Sequence, residues 1–374
     1  MPSWLKEGRG SLCGANVSLL LREMGITKPL LVAGERTKNV FFARTGMRLP
    51  VFDAFHPNPD LQDCVAGAAL YQEKGCDGLI SIGGGSAMDT AKGIKALLMT
   101  DIAHVRANQL PSEGNVPHLA IPGTAGTGAE TTAVAVLYEN GQKLSVDHPA
   151  LLPDGVLLDG SLLDTLPEYH RKSCAMDALA QGIESWWAKK ATPDSRIHAE
   201  RAIRGVLDNL TAYLQGDRKA QDEMLHAAYE SGVAILTTRT TAAHAMSYQI
   251  TKKLGAAHGH ACMLTLPHLW AHLAAQAEYQ PMLTELSRLL GGEKPMDGAI
   301  LLKGLLAVLE LDKIPMPDDA TLDMLAASVN PERLGNHPEA LTTAQLRAIY
   351  VQAFTPMTDT ERAEAIAAWE QYGK

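Results

Sequence analysis

Through about residue 160 the chain alternates short, β-rich apolar runs with segments of helical composition. PLLVAG (29–34), GLISIGGGS (78–86) and HLAIPGT (118–124) each close on glycine, proline or a small residue. This alternation predicts parallel strands joined by helices, with ligands received where the strands end. From about residue 161 the strand signal stops, and Ala-, Leu- and Glu-rich stretches follow one another to the end. An all-helical second domain is therefore expected, with the boundary in the loop around Asp159 to Pro167 and the domains spanning 1–162 and 163–374. One of its helices should cover SCAMDALAQGIESWWAKK (173–190), with Ser173 as the N-terminal cap. On that helix Asp177, Gln181 and Glu184 share one narrow stripe, opposite Leu179, Ile183 and Trp186.

Composition narrows the class. With 374 residues, 46% hydrophobic and 20% charged, the chain is long enough for two globular domains, and its apolar runs are too short to span a membrane. A formal charge of −9 argues against broad nucleic-acid binding. The opening stretch MPSWLKEGRG lacks the apolar core of a secretory leader, so a reducing, cytoplasmic setting is expected. Cys13, Cys64, Cys76, Cys174 and Cys262 are odd in number, scattered and form no CxxC pair, which predicts neither a disulfide framework nor a cysteine zinc site. Most of them read as small core residues.

Two small-residue loops carry the first candidate chemistry. In GGGSAMDTAK (83–92), Gly83, Gly84 and Gly85 would let backbone amides approach a diphosphate, and Ser86 is placed to cap the helix that follows. PGTAGTGAE (122–130) repeats the arrangement with Thr124 and Thr127. After PLLVAG, Gly34 leaves room where an acidic residue would hold a ribose diol, and Arg36 and Lys38 follow, which favours NADP over NAD.

The second candidate is TTAAHAMSYQITKKLGAAHGHA (240–261). His244 and Tyr248 share a helix face, and His258 lies just past Gly255, where a helix can end and turn back. One carboxylate from the Asp177 stripe and two imidazoles from separate segments would make a shell for a divalent ion.

Taken in order, GRG near residue 8, GGGSAMDTAK, PGTAGTGAE, Lys143 with PDGVLLD (153–159), MDALAQGIES (176–185) and the HxxxY and HGHA elements resemble the iron-containing, or group III, alcohol dehydrogenase family over nearly the full length. The resemblance implies an N-terminal α/β dinucleotide-binding domain with a parallel sheet, plus an all-α C-terminal metal-binding domain, a dehydroquinate synthase-like fold with Fe²⁺ or Zn²⁺ in the cleft. It implies cofactor contacts from Gly83, Gly84, Gly85, Ser86, Asp89, Thr124, Thr127 and Lys143, and metal ligation by Asp177, His244 and His258. Where many members have a histidine four residues after the metal aspartate, this chain has Gln181, whose amide oxygen is the expected fourth donor. Tyr248 replaces another family histidine.

The wording around these ligands looks most like the phosphonoacetaldehyde reductase branch, which reduces phosphonoacetaldehyde to 2-hydroxyethylphosphonate with NAD(P)H. Arg239, Lys252, Lys253 and His260 are the cations expected to meet the anionic head group, and Tyr248 or His260 to relay a proton to the alkoxide. A homodimer is the expected assembly, without a nucleic-acid or membrane partner. Three other readings use the same residues: a simple primary alcohol or aldehyde dehydrogenase, a dehydroquinate-synthase-type lyase without net cofactor turnover, and a cofactor-binding protein with a damaged metal site.

Overall fold

The computed structural model describes residues 6–112 and 116–372. Residues 1–5, half of the stretch read for a leader, lie outside the described residues. The chain divides into two compact units, Met1–Thr165 and Leu166–Lys374.

The first unit contains strands β1 (Lys6–Arg9), β2 (Pro29–Ala33), β3 (Val51–Phe52), β4 (Gly78–Gly83), β5 (His118–Pro122), β6 (Val134–Glu139), β7 (Gln142–Asp147) and β8 (Gly155–Leu158). Its helices are α1 (Gly14–Glu23), α2 (Glu35–Thr45), α3 (Leu61–Lys74), α4 (Gly85–Met99) and α5 (Ile102–Arg106). Six strands form a parallel sheet in the order β1-β8-β5-β4-β2-β3. Strands β2, β4 and β5 are buried along their whole length, because helices cover both faces of such a sheet. Leu30, Val32 and Leu79 enter the core on one face, while Leu31, Ile80 and Ile82 enter it on the other. The period-two alternation of strand side chains therefore feeds two cores from one continuous apolar run.

The antiparallel hairpin β6–β7 is additional to the expected elements. Its turn is Asn140-Gly141, both at positive φ (51° and 73°), the conformation that a tight hairpin demands and that this pair supplies at least strain.

The second unit is helical: α6 (Glu168–Trp187), α7 (Pro193–Leu214), α8 (Arg218–Thr238), α9 (Ala242–Gln249), α10 (His258–Ala274), α11 (Gln280–Leu289), α12 (Asp297–Val308), α13 (Asp319–Ala327), α14 (Pro331–Leu334), α15 (Thr343–Phe354) and α16 (Asp359–Tyr372). Helix α6 packs on α7, α8 and α10. It starts after Pro167 rather than at Ser173, which is buried inside the helix and accepts a hydrogen bond from the His260 backbone N–H at 3.1 Å. The polar first turn hides this start from an apolar-pattern reading. No helix among the described residues is long and apolar enough to cross a membrane.

Two glycines set how closely α6 is approached. A Cβ on Gly259 would lie 2.0 Å from the Ser173 carbonyl oxygen and 2.6 Å from the Asp177 nitrogen, so the first turn of α10 rests backbone against backbone on α6. On another side, a Cβ on Gly182 would meet Ile203 at 2.9 Å.

Candidate functional site

In the first unit, the expected cofactor residues gather at the carboxyl ends of neighbouring strands. Gly34 follows β2, Gly83 ends β4, and Thr124 and Thr127 follow β5, with the order β5-β4-β2 in the sheet. Gly83 has φ of +144°, a conformation side chains rarely adopt, and its carbonyl accepts from Gly123 N–H at 2.7 Å, which ties the two loops together. A Cβ on Gly84 would press the Thr124 methyl at 3.2 Å. Glycine is therefore needed where the backbone itself forms the cradle.

The N-cap of α4 is Gly84, not Ser86: the helix begins at Gly85, and the Ser86 hydroxyl accepts from the Asn58 N–H at 3.3 Å. The free amides of that first turn still point along the helix axis and favour an anion. Farther along α4, burial raises the Asp89 carboxyl to about 6 despite the opposing charges of Lys92 and Lys143. Lys143 itself stands exposed on β7. Gly34 caps α2, and a Cβ there would meet nothing within 4 Å. The two cations behind the NADP expectation have partners in this unit: Arg36 donates to the Thr165 carbonyl at 3.0 Å, and Lys38 pairs with Asp53.

In the second unit, the Asp177 stripe faces inward. Asp177, Gln181 and Glu184 are all buried, and each has a specific partner. His244, from α9, brings Nε2 to 3.2 Å from Asp177 Oδ1, while its Nδ1 is held by Glu184 Oε2. His258, at the first position of α10, places Nε2 4.0 Å from the same Asp177 oxygen, and its Nδ1 lies 3.3 Å from the Ser247 hydroxyl. Both imidazoles thus present Nε2 inward because a polar partner holds the other nitrogen. This is how proteins fix the tautomer and aim of a metal-binding histidine.

Glu184 has a second task. Its Oε1 accepts from the N–H groups of Thr241 at 3.1 Å and Ala243 at 2.8 Å, and from the Thr241 hydroxyl at 2.6 Å. A carboxylate from α6 therefore caps the amino end of α9, whose own cap residue, Thr241, makes no side-chain bond to the amides of that helix. The sequence places Glu184 on the stripe but not its partner, because the His244 contact is tertiary.

The fourth residue in this cluster is Cys262, one helical turn after His258, with Sγ 3.9 Å from His258 Nε2. The donor atoms of Asp177, His244, His258 and Cys262 lie within 4.8 Å of one another. Burial pulls His258 down, but Cys262 and Asp177 outweigh it and lift the imidazole to about 9. Burial raises the Cys262 thiol, yet the two imidazoles bring it down to about 7. Asp177 is likewise held below its ordinary value against burial by His258 and His244. Buried acidic donors that require cationic neighbours are a donor set for a divalent ion. The residues fit such an ion.

Gln181 is present but turned. Its amide nitrogen donates to Asp177 at 3.2 Å, and its oxygen, the atom expected to bind metal, accepts from the Ser231 hydroxyl at 2.8 Å. Tyr248 is beside the cluster, its ring stacked on His258 with centroids 6.0 Å apart, and the Arg333 guanidinium lies 6.0 Å from the Tyr248 ring centre. His260 points elsewhere: Nδ1 meets the Tyr169 hydroxyl at 3.1 Å and Nε2 the Leu311 carbonyl at 2.8 Å. Both ring nitrogens are engaged in joining α10 to its surroundings, and burial lowers the imidazole pKa. Arg239 closes α8 at a positive φ of 62°, with its side chain donating to the Leu236 carbonyl. Lys252 and Lys253 are exposed on the π-helical turn Ile250–Leu254 that leads to Gly255.

Residues 3–160 match the family model described as iron-containing alcohol dehydrogenase, and residues 172–354 match the Fe-containing alcohol dehydrogenase family, C-terminal. Phosphonoacetaldehyde reductase from Streptomyces viridochromogenes is 36% identical over 228 residues, covering 57% of this chain and 58% of its own length. NAD-dependent methanol dehydrogenase from Bacillus methanolicus is 30% identical over 299 residues, covering 75% and 77%. Among solved structures, sulfoacetaldehyde reductase from Bifidobacterium kashiwanohense in complex with NAD+ is 26% identical with a TM-score of 0.83, covering 95% of this chain and 97% of that one.

Proposed function

The chain belongs to the iron-containing alcohol dehydrogenase family and is an oxidoreductase, and we propose that it reduces a small aldehyde to its alcohol with NAD(P)H and a divalent metal. The observation that carries this reading is the pair of imidazoles turned with Nε2 toward Asp177, each anchored on its outer nitrogen. A divalent ion held by Asp177, His244 and His258 supplies Lewis acidity toward the aldehyde carbonyl, and the dinucleotide on the glycine loops supplies the hydride.

The chain's own residues prepare that chemistry. Glu184 retains the proton on His244 Nδ1 and leaves the Nε2 lone pair free. Tyr248 orients the partly exposed His258 ring by stacking on it. Reduction makes one C–H bond from the hydride and one O–H bond from a proton, which solvent delivers through Tyr248. His260 takes no part in that relay, because both of its ring nitrogens are occupied.

Phosphonoacetaldehyde is the proposed substrate and 2-hydroxyethylphosphonate the product. Support comes from the 36%-identical relative of that name, and from Arg333, whose guanidinium donates to the Thr240 hydroxyl and lies 6.0 Å from the centre of the Tyr248 ring that stacks on His258. NADPH is the proposed preference, because open space at Gly34 accommodates a 2′-phosphate, although Arg36 and Lys38 already hold partners. All five cysteines are free, in keeping with a reducing cytoplasm, and a homodimer completes the reading.

The test is oxidation of NADPH and NADH by metal-depleted protein resupplied with Fe²⁺ or Zn²⁺, with phosphonoacetaldehyde set against acetaldehyde. The reading expects metal-dependent turnover and a strong preference for the phosphonate. Equal rates would remove the phosphonate as substrate, and no oxidation with any aldehyde would overturn the reductase.

A further inference from the structure

Resting on the metal reading above, the structure assigns the fourth donor of the ion site to the Cys262 thiolate rather than to Gln181, and with it a preference for zinc over iron. Three observations carry the assignment.

The first is position. His258 and Cys262 occupy successive turns on one face of α10, and Gly259 brings that face against α6 where Asp177 emerges. Donors at ordinary zinc distances from a tetrahedral centre stand about 3.3–3.8 Å from one another. Three of the separations here, 3.2 Å for His244 to Asp177, 3.9 Å for His258 to Cys262 and 4.0 Å for His258 to Asp177, lie near that range, and all four donor atoms are within 4.8 Å of one another.

The second is what Gln181 does instead. Its nitrogen donates to Asp177, a carboxylate that can only accept, which leaves its oxygen toward the Ser231 hydroxyl, itself also 2.8 Å from the Ala228 carbonyl. Turning the amide over to offer its oxygen would set that oxygen against the Asp177 carboxylate and lose the hydrogen bond between them. As it stands, Gln181 is a positioning residue for the carboxylate.

The third is ligand chemistry. Two imidazole nitrogens, one carboxylate oxygen and one thiolate sulfur make a set softer than one of nitrogens and oxygens alone, and thiolate sulfur moves selection toward zinc. Zinc also tolerates expansion to five donors, which leaves a place for substrate beside four protein ligands.

The experiment uses the full-length chain loaded with Co²⁺ as a spectroscopic stand-in for zinc, together with zinc affinity measured by competition with a chelator. Wild type should show a thiolate-to-cobalt charge-transfer band in the near ultraviolet. That band should vanish in Cys262→Ser and persist in Cys174→Ser, which removes a cysteine outside the cluster. Zinc affinity should fall on the order of tenfold or more in Cys262→Ser, at least matching the loss that follows removal of a supporting partner. Gln181→Ala should keep the band while zinc affinity falls by about tenfold, the loss that follows removal of a partner of the Asp177 carboxylate. Stoichiometric cobalt without the band in wild type would overturn the thiolate assignment and leave the metal reading standing. Loss of the ion in Gln181→Ala, with Cys262→Ser unaffected, would return the fourth position to Gln181. A wild-type chain that binds no divalent ion would overturn both readings. The wild-type spectrum requires no variant to fold.

Discussion

The two candidate sites are built from opposite materials. In the first unit the cradle is backbone: glycines at 83, 84 and 85, a second loop joined to the first through Gly123 N–H, and the free amides of α4. In the second unit almost nothing is backbone. Side chains from α6, α9 and α10 converge, and each inward-facing atom depends on an outward partner such as Glu184 or Ser247. A backbone site tolerates changes in the residues around it but not a Cβ where the chain must pass. A side-chain site fails when any member or its support is altered.

The largest expected effect on stability concerns the buried setting of the side-chain site. His337 lies edge-on to Trp187, neither ring nitrogen finds a hydrogen-bond partner among the described residues, and burial lowers its pKa from 6.5 to about 4. The folded state therefore takes up this proton later than the unfolded state. Its contribution to stability is fully present above about pH 6.5 and is lost as the pH falls toward 4, by about 3 kcal/mol. Urea unfolding of wild type and His337→Leu at pH 7, 5 and 4 should show a shallower acid limb in the variant. Identical limbs would mean that this imidazole takes up its proton alike in the folded and unfolded chain.

Next comes the support of the metal ligands. Glu184→Gln keeps the shape but weakens the hold on His244 Nδ1, so metal affinity should drop by about 10–100-fold while the KM for dinucleotide stays near wild type. Chelator competition and steady-state kinetics on one preparation separate the two. Equal damage to both constants would erase the contrast between the sites.

The smallest effect is the mirror image. At Gly83, with φ of +144° and Ala87 Cβ 3.2 Å from where a new Cβ would stand, alanine introduces strain of about 1–3 kcal/mol. The KM for dinucleotide should rise about tenfold, with metal content unchanged. A Gly83→Ala protein that loses its ion but binds NADPH normally would reverse the assignment of roles.

The same contrast explains what could be read from the chain. The glycine turn was legible because ten consecutive residues hold its strand end, turn and helix start, and the α/β order before residue 160 follows from runs such as PLLVAG and GLISIG. Asn140-Gly141 also carried a hairpin signal, but β6 and β7 are half polar, and the pattern of buried parallel strands does not extend to them.

Around the proposed ion site, spacing proposes pairs without choosing between them. Gln181 follows Asp177 by four residues as Cys262 follows His258, and only the tertiary position of Ser231 shows that the Gln181 oxygen is already bonded. His260 looked functional as a polar residue in an apolar stretch. With α10 beginning at His258, however, a residue two positions on faces away from it, toward Tyr169 and Leu311, which are remote in sequence. Ser173 was a sensible helix start until the polar turn after Pro167 proved helical.

The central claim is that reduction depends on an ion held by Asp177, His244 and His258. The most direct test is a titration of metal-depleted protein with Zn²⁺ or Fe²⁺ while NADPH oxidation by an aldehyde is followed. The account expects activity to rise from near zero to a plateau at one ion per chain, and Asp177→Ala to lower that plateau by about 10³-fold, the loss of several kcal/mol of Lewis-acid stabilisation. Full turnover by the metal-depleted chain, unchanged by added ion, would contradict it.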